Sequence, residues 1–129
     1  MTLLTLLPIL AVIPVLIVTL AAMKTNGRMP KNAWMVAVLF CIALTAWTIP
    51  AVLSEGLLGF IPAHSQSLWG NQVWFDLLMA LTMAWVLILP RAKTLRMNLP
   101  LWLLFILCTG SIGFSAMLAR MLFLEERQA

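Results

Sequence analysis

Apolar residues run along this chain in four long blocks, at roughly 2–23, 33–53, 72–90 and 99–123, with most of the polar residues in the gaps between them. A hydrocarbon core of ~30 Å is crossed by ~20 apolar residues in helical conformation. Each block therefore predicts a membrane-spanning helix. The expected fold is an all-α membrane protein, a four-transmembrane-helix bundle that makes one membrane domain of residues 1–129. The composition agrees: 64% of residues are apolar and 9% charged, against about half and about a quarter in soluble domains. Block one has no basic region before it, and its apolar run is about twice that of a secretory signal, so it is read as a retained helix.

The gaps differ in character, and that difference orients the bundle. The first, KTNGRMPKN at 24–32, holds Lys24, Arg28 and Lys31, with an Asn-Gly turn signal and Pro30 opening the next helix. The third, RAKTLRMN at 91–98, holds Arg91, Lys93 and Arg96. Short loops rich in Lys and Arg stay on the cytoplasmic side. Both termini are then expected on the outer, periplasmic side of a bacterial inner membrane. The net charge of +4 is explained by orientation and needs no nucleic-acid partner.

The middle gap, 54–71, carries Leu57, Leu58, Phe60 and Ile61. These are too apolar for a free loop and too few to span, which predicts a segment resting in the outer interface or folded over the bundle. Trp69 and Trp74 at the outer edge, and Trp34 and Trp102 near the inner one, form aromatic belts. Trp47 and Trp85 are expected deeper. Pro8 and Pro14 interrupt the first helix and Pro50 the second. Each removes a backbone donor and bends its helix, which membrane proteins tolerate where neighbours satisfy the freed carbonyl.

Charge inside the blocks is rare enough to raise a question at Asp76 and Arg120. If the third helix runs inward from 72 and the fourth outward to 123, both lie within about 6 Å of the outer boundary at 1.5 Å per residue. An intramembrane ion pair between Asp76 and Arg120 would offset the desolvation of each. The helix N-terminus also favours the carboxylate. A structural pin, snorkelling to headgroups and a ligand contact are the competing readings.

A second feature is CTGSIGFSAMLA at 108–119. Thr109, Gly110, Ser111, Gly113, Ser115 and Ala116 give the fourth helix a small-residue packing face, of the kind that lets backbones approach closely in lipid. Its occupant is another helix of this chain, a second copy, a different subunit, or a flat molecule such as a pigment or quinone.

Glu55 and His64 in the outer loop are a possible polar site, though nothing in the sequence positions them for acid–base work. One His makes no metal site without further ligands. Cys41 and Cys108 sit in apolar runs, match no metal spacing, and read as small hydrophobes. FLEERQA at the C-terminus reads as a frayed polar end. No phosphate loop, nucleophile elbow, HExxH or CxxC occurs, so no catalytic residue is assigned and no cofactor is implied.

From about residue 40 onward, NQVWFDLL, LPRAKTLRMNLPLW, and TGSIG followed by LARMLFLEER resemble an uncharacterised family of small bacterial inner-membrane proteins, classed as a domain of unknown function. The resemblance covers two-thirds of the chain, leaves out the first helix, and implies no activity. Three functions stay open. The foremost is a non-catalytic membrane subunit or assembly factor of a larger complex, respiratory or photosynthetic, docking on other subunits or on itself through the fourth helix. The second is a small dimeric transporter or channel, and the third a lipid- or isoprenoid-acting protein that uses Asp76.

Overall fold

The structure, a computed structural model, describes residues 2–25 and 29–129. Arg28 and the Asn26–Gly27 turn assigned above lie outside the described residues. The described residues form six helices and no strand: α1 (Leu3–Met23), α2 (Trp34–Glu55), α3 (Phe60–Ser65), α4 (Leu68–Thr94), α5 (Leu99–Thr109) and α6 (Ser111–Gln128). Three of them, α1, α2 and α4, are long and apolar enough to cross a membrane.

Residues 1–31 and 32–129 are separate compact units. The first is essentially α1, 21 residues and so about 31 Å long. Pro8 and Pro14 lie inside it. Its surface is apolar all round, and its one mid-helix hydroxyl, on Thr19, donates to the Val15 carbonyl at 2.8 Å.

The second unit is built around α6. Along one side of α6 lies α2, antiparallel: Trp34 meets Phe123 edge-on at 5.4 Å, and seven residues on, Cys41 Sγ comes within 3.6 Å of the Ile112 carbonyl. On another side, Ile106 of α5 and Ile88 and Ala92 of α4 close over Met117 and Met121. Both methionines are fully buried. Trp85, Trp102, Phe114 and Leu118 pack around that cluster. At the opposite end α3 packs on the start of α4, where Phe60 stacks on Trp74 at 5.6 Å. Ser67 caps α4 by accepting the Gly70 N–H at 2.9 Å, which sets its start four residues before the apolar block.

The expected fourth span is corrected. Residues 99–123 are not one helix: the chain turns at Gly110 and folds back, so that α5 and α6 make a helical hairpin. Gly110 has φ 61° and ψ −126°, a conformation in which a Cβ is strained. Its N–H still bonds to the Ile106 carbonyl and its carbonyl accepts from Phe114, so the turn keeps its hydrogen bonds. Gly113 then lets α6 start against α5. A Cβ there would stand 2.9 Å from the Phe105 carbonyl oxygen and 3.0 Å from Ile106 Cα. The first arm is short: α5 has 11 residues and rises about 16 Å, half the hydrocarbon core, while α6 has 18.

One consequence overturns a second expectation. The C-terminal end of α6 does not lie at the end of the unit opposite the 91–98 loop. Glu125 reaches Arg91 and Glu126 reaches the Asn32 N–H, so the C-terminal end of α6, Arg91 and the turn at Asn32 share one end of this unit.

Candidate functional site

The fold-back also decides the fate of the Asp76–Arg120 pair. Arg120 sits beside Met121, which packs with Ile88 and Ala92 near the end of α4. Asp76 lies twelve or more residues earlier on α4, about 18 Å away along the axis. Both side chains are exposed, and the ion pair found among the described residues is a different one. The expected pin is therefore corrected: it presumed a single outward helix from 99 to 123.

The actual pair is Arg91 with Glu125. Nε and Nη2 of Arg91 donate to the two carboxylate oxygens at 2.7 and 2.5 Å, the two-pronged geometry that suits a guanidinium and a carboxylate. It ties the last turn of α6 to the last turns of α4. The neighbouring carboxylate, Glu126, accepts the backbone N–H of Asn32 at 3.0 Å. Asn32 has φ 63°, so this bond holds the left-handed turn that leads into α2. Adjacent acids thus fasten α6 to two different helices. Arg127 lies with its guanidinium carbon 4.6 Å above the Phe123 ring, and Phe123 in turn meets Trp34.

The other sequence-derived residues separate. Glu55 is exposed at the end of α2. His64 is half-buried on α3, with Nδ1 at 2.7 Å from the Phe60 carbonyl and its ring 5.3 Å from that of Trp74. It serves the aromatic contact between α3 and α4 and does not face Glu55 or Asp76 in any ion pair. Among the described residues no three His, Cys, Asp or Glu side chains gather.

The small residues lie at and after the hairpin tip. Thr109 Oγ1 donates back to the Phe105 carbonyl at 2.7 Å, Gly110 forms the turn and Gly113 is buried. Ser111, Ser115 and Ala116 are half-buried. Gly113 is the one whose close approach to α5 is seen, against the backbone of Phe105 and Ile106. Cys41 and Cys108 are free thiols. A shallow apolar hollow lies along α5 between Leu101, Trp102, Leu104, Phe105 and Cys108.

Sequence reasoning missed Arg91, Glu125 and Glu126 as partners, because the acids were read as a frayed end. A signal did exist: two of the four acids of the chain stand together at 125–126. They lie just far enough after Gly110 to return to the basic turn if the helix breaks there. No family model, curated protein or solved structure matches this chain, so the functional reading rests on the chain itself.

Proposed function

We propose that this protein is a non-catalytic integral membrane subunit, or an assembly and stabilising factor, of a larger membrane complex. In this reading α1, α2 and α4 cross the membrane. The α5–α6 hairpin enters and leaves through the cytoplasmic face, which carries the basic turns. The N-terminus is then periplasmic and the C-terminus cytoplasmic in a bacterial inner membrane.

The observation that carries the proposal is how the polar and apolar groups are spent. Arg91, Glu125 and Glu126 all go into fastening α6. Within the chain α2 buries only Ala37 and α4 only Ile88 and Ala92. Leu39, Ile42, Trp47 and Ile49 of α2 stay exposed, as do Met79, Met83, Val86 and Leu87 of α4. Surface of that kind is covered by lipid or by the helices of partner subunits. A protein organised around one short hairpin, with broad apolar flanks, fits the part of a helical adaptor better than that of a solute path.

The test is purification of the native assembly in mild detergent, with mass spectrometry of what accompanies the chain. Stoichiometric larger subunits are the expected result. A lone monomer, or a dimer that conducts a solute in vesicles and loses flux in Asp76→Ala, would overturn the reading in favour of a small transporter.

A further inference from the structure

Seven of the eight basic residues lie within the described part of the chain, and most have an ordinary topological explanation. Arg120 and Arg127 do not. They are seven residues apart on α6, two turns, so their side chains leave the same face about 10 Å apart along the axis.

The neighbours of α6 define that face by exclusion. Ile112, Phe123 and Glu126 are turned to α2 or to the turn that leads into it. Met117, Met121 and Glu125 are turned to α4 and α5. Between these two covered sides Gly113 is buried and Ala116 and Leu124 are half-buried, and Arg120 and Arg127 are the exposed residues.

Neither guanidinium has a carboxylate within reach. The chain has four acids. Glu125 is taken by Arg91 and Glu126 by the Asn32 N–H, while Glu55 and Asp76 belong to α2's far end and to the opposite part of α4. The unit's one ion pair among described residues involves neither Arg120 nor Arg127. Arg127 is nevertheless held in place, its cation laid on Phe123 and Phe123 braced by Trp34.

An unpaired arginine on a lipid-facing face is costly unless it finds an anion, and the anion at that depth is a phosphate of the nearby leaflet. Guanidinium is also the group best matched to phosphate, offering two parallel N–H donors. We propose that Arg120 and Arg127 form a binding edge for the phosphate group of an anionic phospholipid in the leaflet on the basic side of the membrane. Arg120 approaches from the hydrocarbon side and Arg127 from the water side. The proposal rests on the membrane placement given above and not on the subunit role.

The full chain in mild detergent is titrated with phosphatidylglycerol and followed by native mass spectrometry, with phosphatidylcholine and excess inorganic phosphate as comparison probes. Insertion of the same chain into vesicles, resistant to alkaline extraction, is scored separately, so a failed membrane placement is told apart from a failed lipid site. Each basic residue near an anionic surface contributes a factor of about five. Arg120→Gln/Arg127→Gln is expected to bind phosphatidylglycerol about 30-fold more weakly than the wild type, and Lys93→Gln within about twofold of it. Arg120→Lys/Arg127→Lys, which keeps the charge and loses the fork, is expected in between. It is also the variant read if the Gln pair does not fold. Equal loss in Lys93→Gln would mean diffuse surface charge and overturn the site. So would wild-type binding in the Gln pair, or a lysine pair as tight as wild type. Displacement of the lipid by inorganic phosphate would assign the edge to a free anion and overturn the lipid source.

Discussion

The two ends of the second unit are made of similar residues and are built differently. At the end that carries Arg91, the last turns of α4 and the α5–α6 hairpin close around Met117 and Met121, which are fully buried. At the other end, α3 lies on α4 through Phe60, His64 and Trp74, and α3 has no buried residue at all. Leu57, Leu58, Leu68 and Trp69 there remain 67–91% exposed. Apolar composition does not separate the two. The Arg91 end has Ala92 and Ala119 buried where helices meet, and side chains from α4, α5 and α6 interlock there, while Gly113 gives the same close approach at the hairpin tip. The α3 end has large side chains facing outward, which suit a lipid interface better than a core. Small residues alone do not make the difference, because Gly70 stands as close to the Ala63–His64 backbone of α3 as Gly113 does to the backbone of α5. The Arg91 end is buried because three helices meet around the methionines there.

That contrast can be broken by truncation. Met117→Ala removes a fully enclosed side chain from the methionine cluster and is expected to cost about 3 kcal/mol, read as a fall in unfolding midpoint in detergent. Leu68→Ala, at a residue 91% exposed, is expected to change stability by less than about 0.5 kcal/mol. Equal effects would show that the two ends are held alike. Gly113→Ala sharpens the point from the opposite direction, since its Cβ meets backbone atoms of Phe105 and Ile106. Overpacking of this kind costs about 2 kcal/mol, and crosslinking between cysteines placed across α5 and α6 should fall with it.

Smaller effects come from the charges. Arg91→Ala should lower stability by about 1 kcal/mol, because the pair is partly exposed and such pairs contribute modestly. Glu125→Gln should do the same, and the double substitution should cost little more than either alone, which a double-mutant cycle reads directly. Smallest of all is Asp76→Asn. With no ion-pair partner, it should leave the unfolding midpoint within about 0.5 kcal/mol of wild type. A large loss of folding there would restore Asp76 as a structural pin.

Much of the helix content was legible in the sequence. The blocks at 2–23, 33–53 and 72–90 correspond to α1, α2 and α4, with α4 extended by the Ser67 cap at one end and by Arg91 to Thr94 at the other. Hydropathy marks such helices well because it averages over twenty residues. The same averaging hid the hairpin. Residues 99–123 are apolar enough to span, and glycine is common within membrane helices, so Gly110 reads as a packing residue when viewed in sequence alone. What makes it a turn is the set of contacts that α6 gains by folding back: Cys41 at Ile112, Ile106 at the methionine cluster, and Arg91 at Glu125. These are long-range contacts with no local signature. The site followed the span. With 99–123 as one helix, Arg120 falls at the end where Asp76 lies, and the true partners of Arg91 look like a loose tail.

The side of the membrane on which residue 128 lies tests the hairpin most directly. A Gln128→Cys substitution in a Cys41→Ala/Cys108→Ala background would be exposed to a membrane-impermeant maleimide in intact spheroplasts, and again after the membrane is opened. Labelling only after opening is the expected result, since α6 returns to the end that carries Arg91. Labelling from outside would contradict the fold-back and make residues 99–123 a single crossing helix.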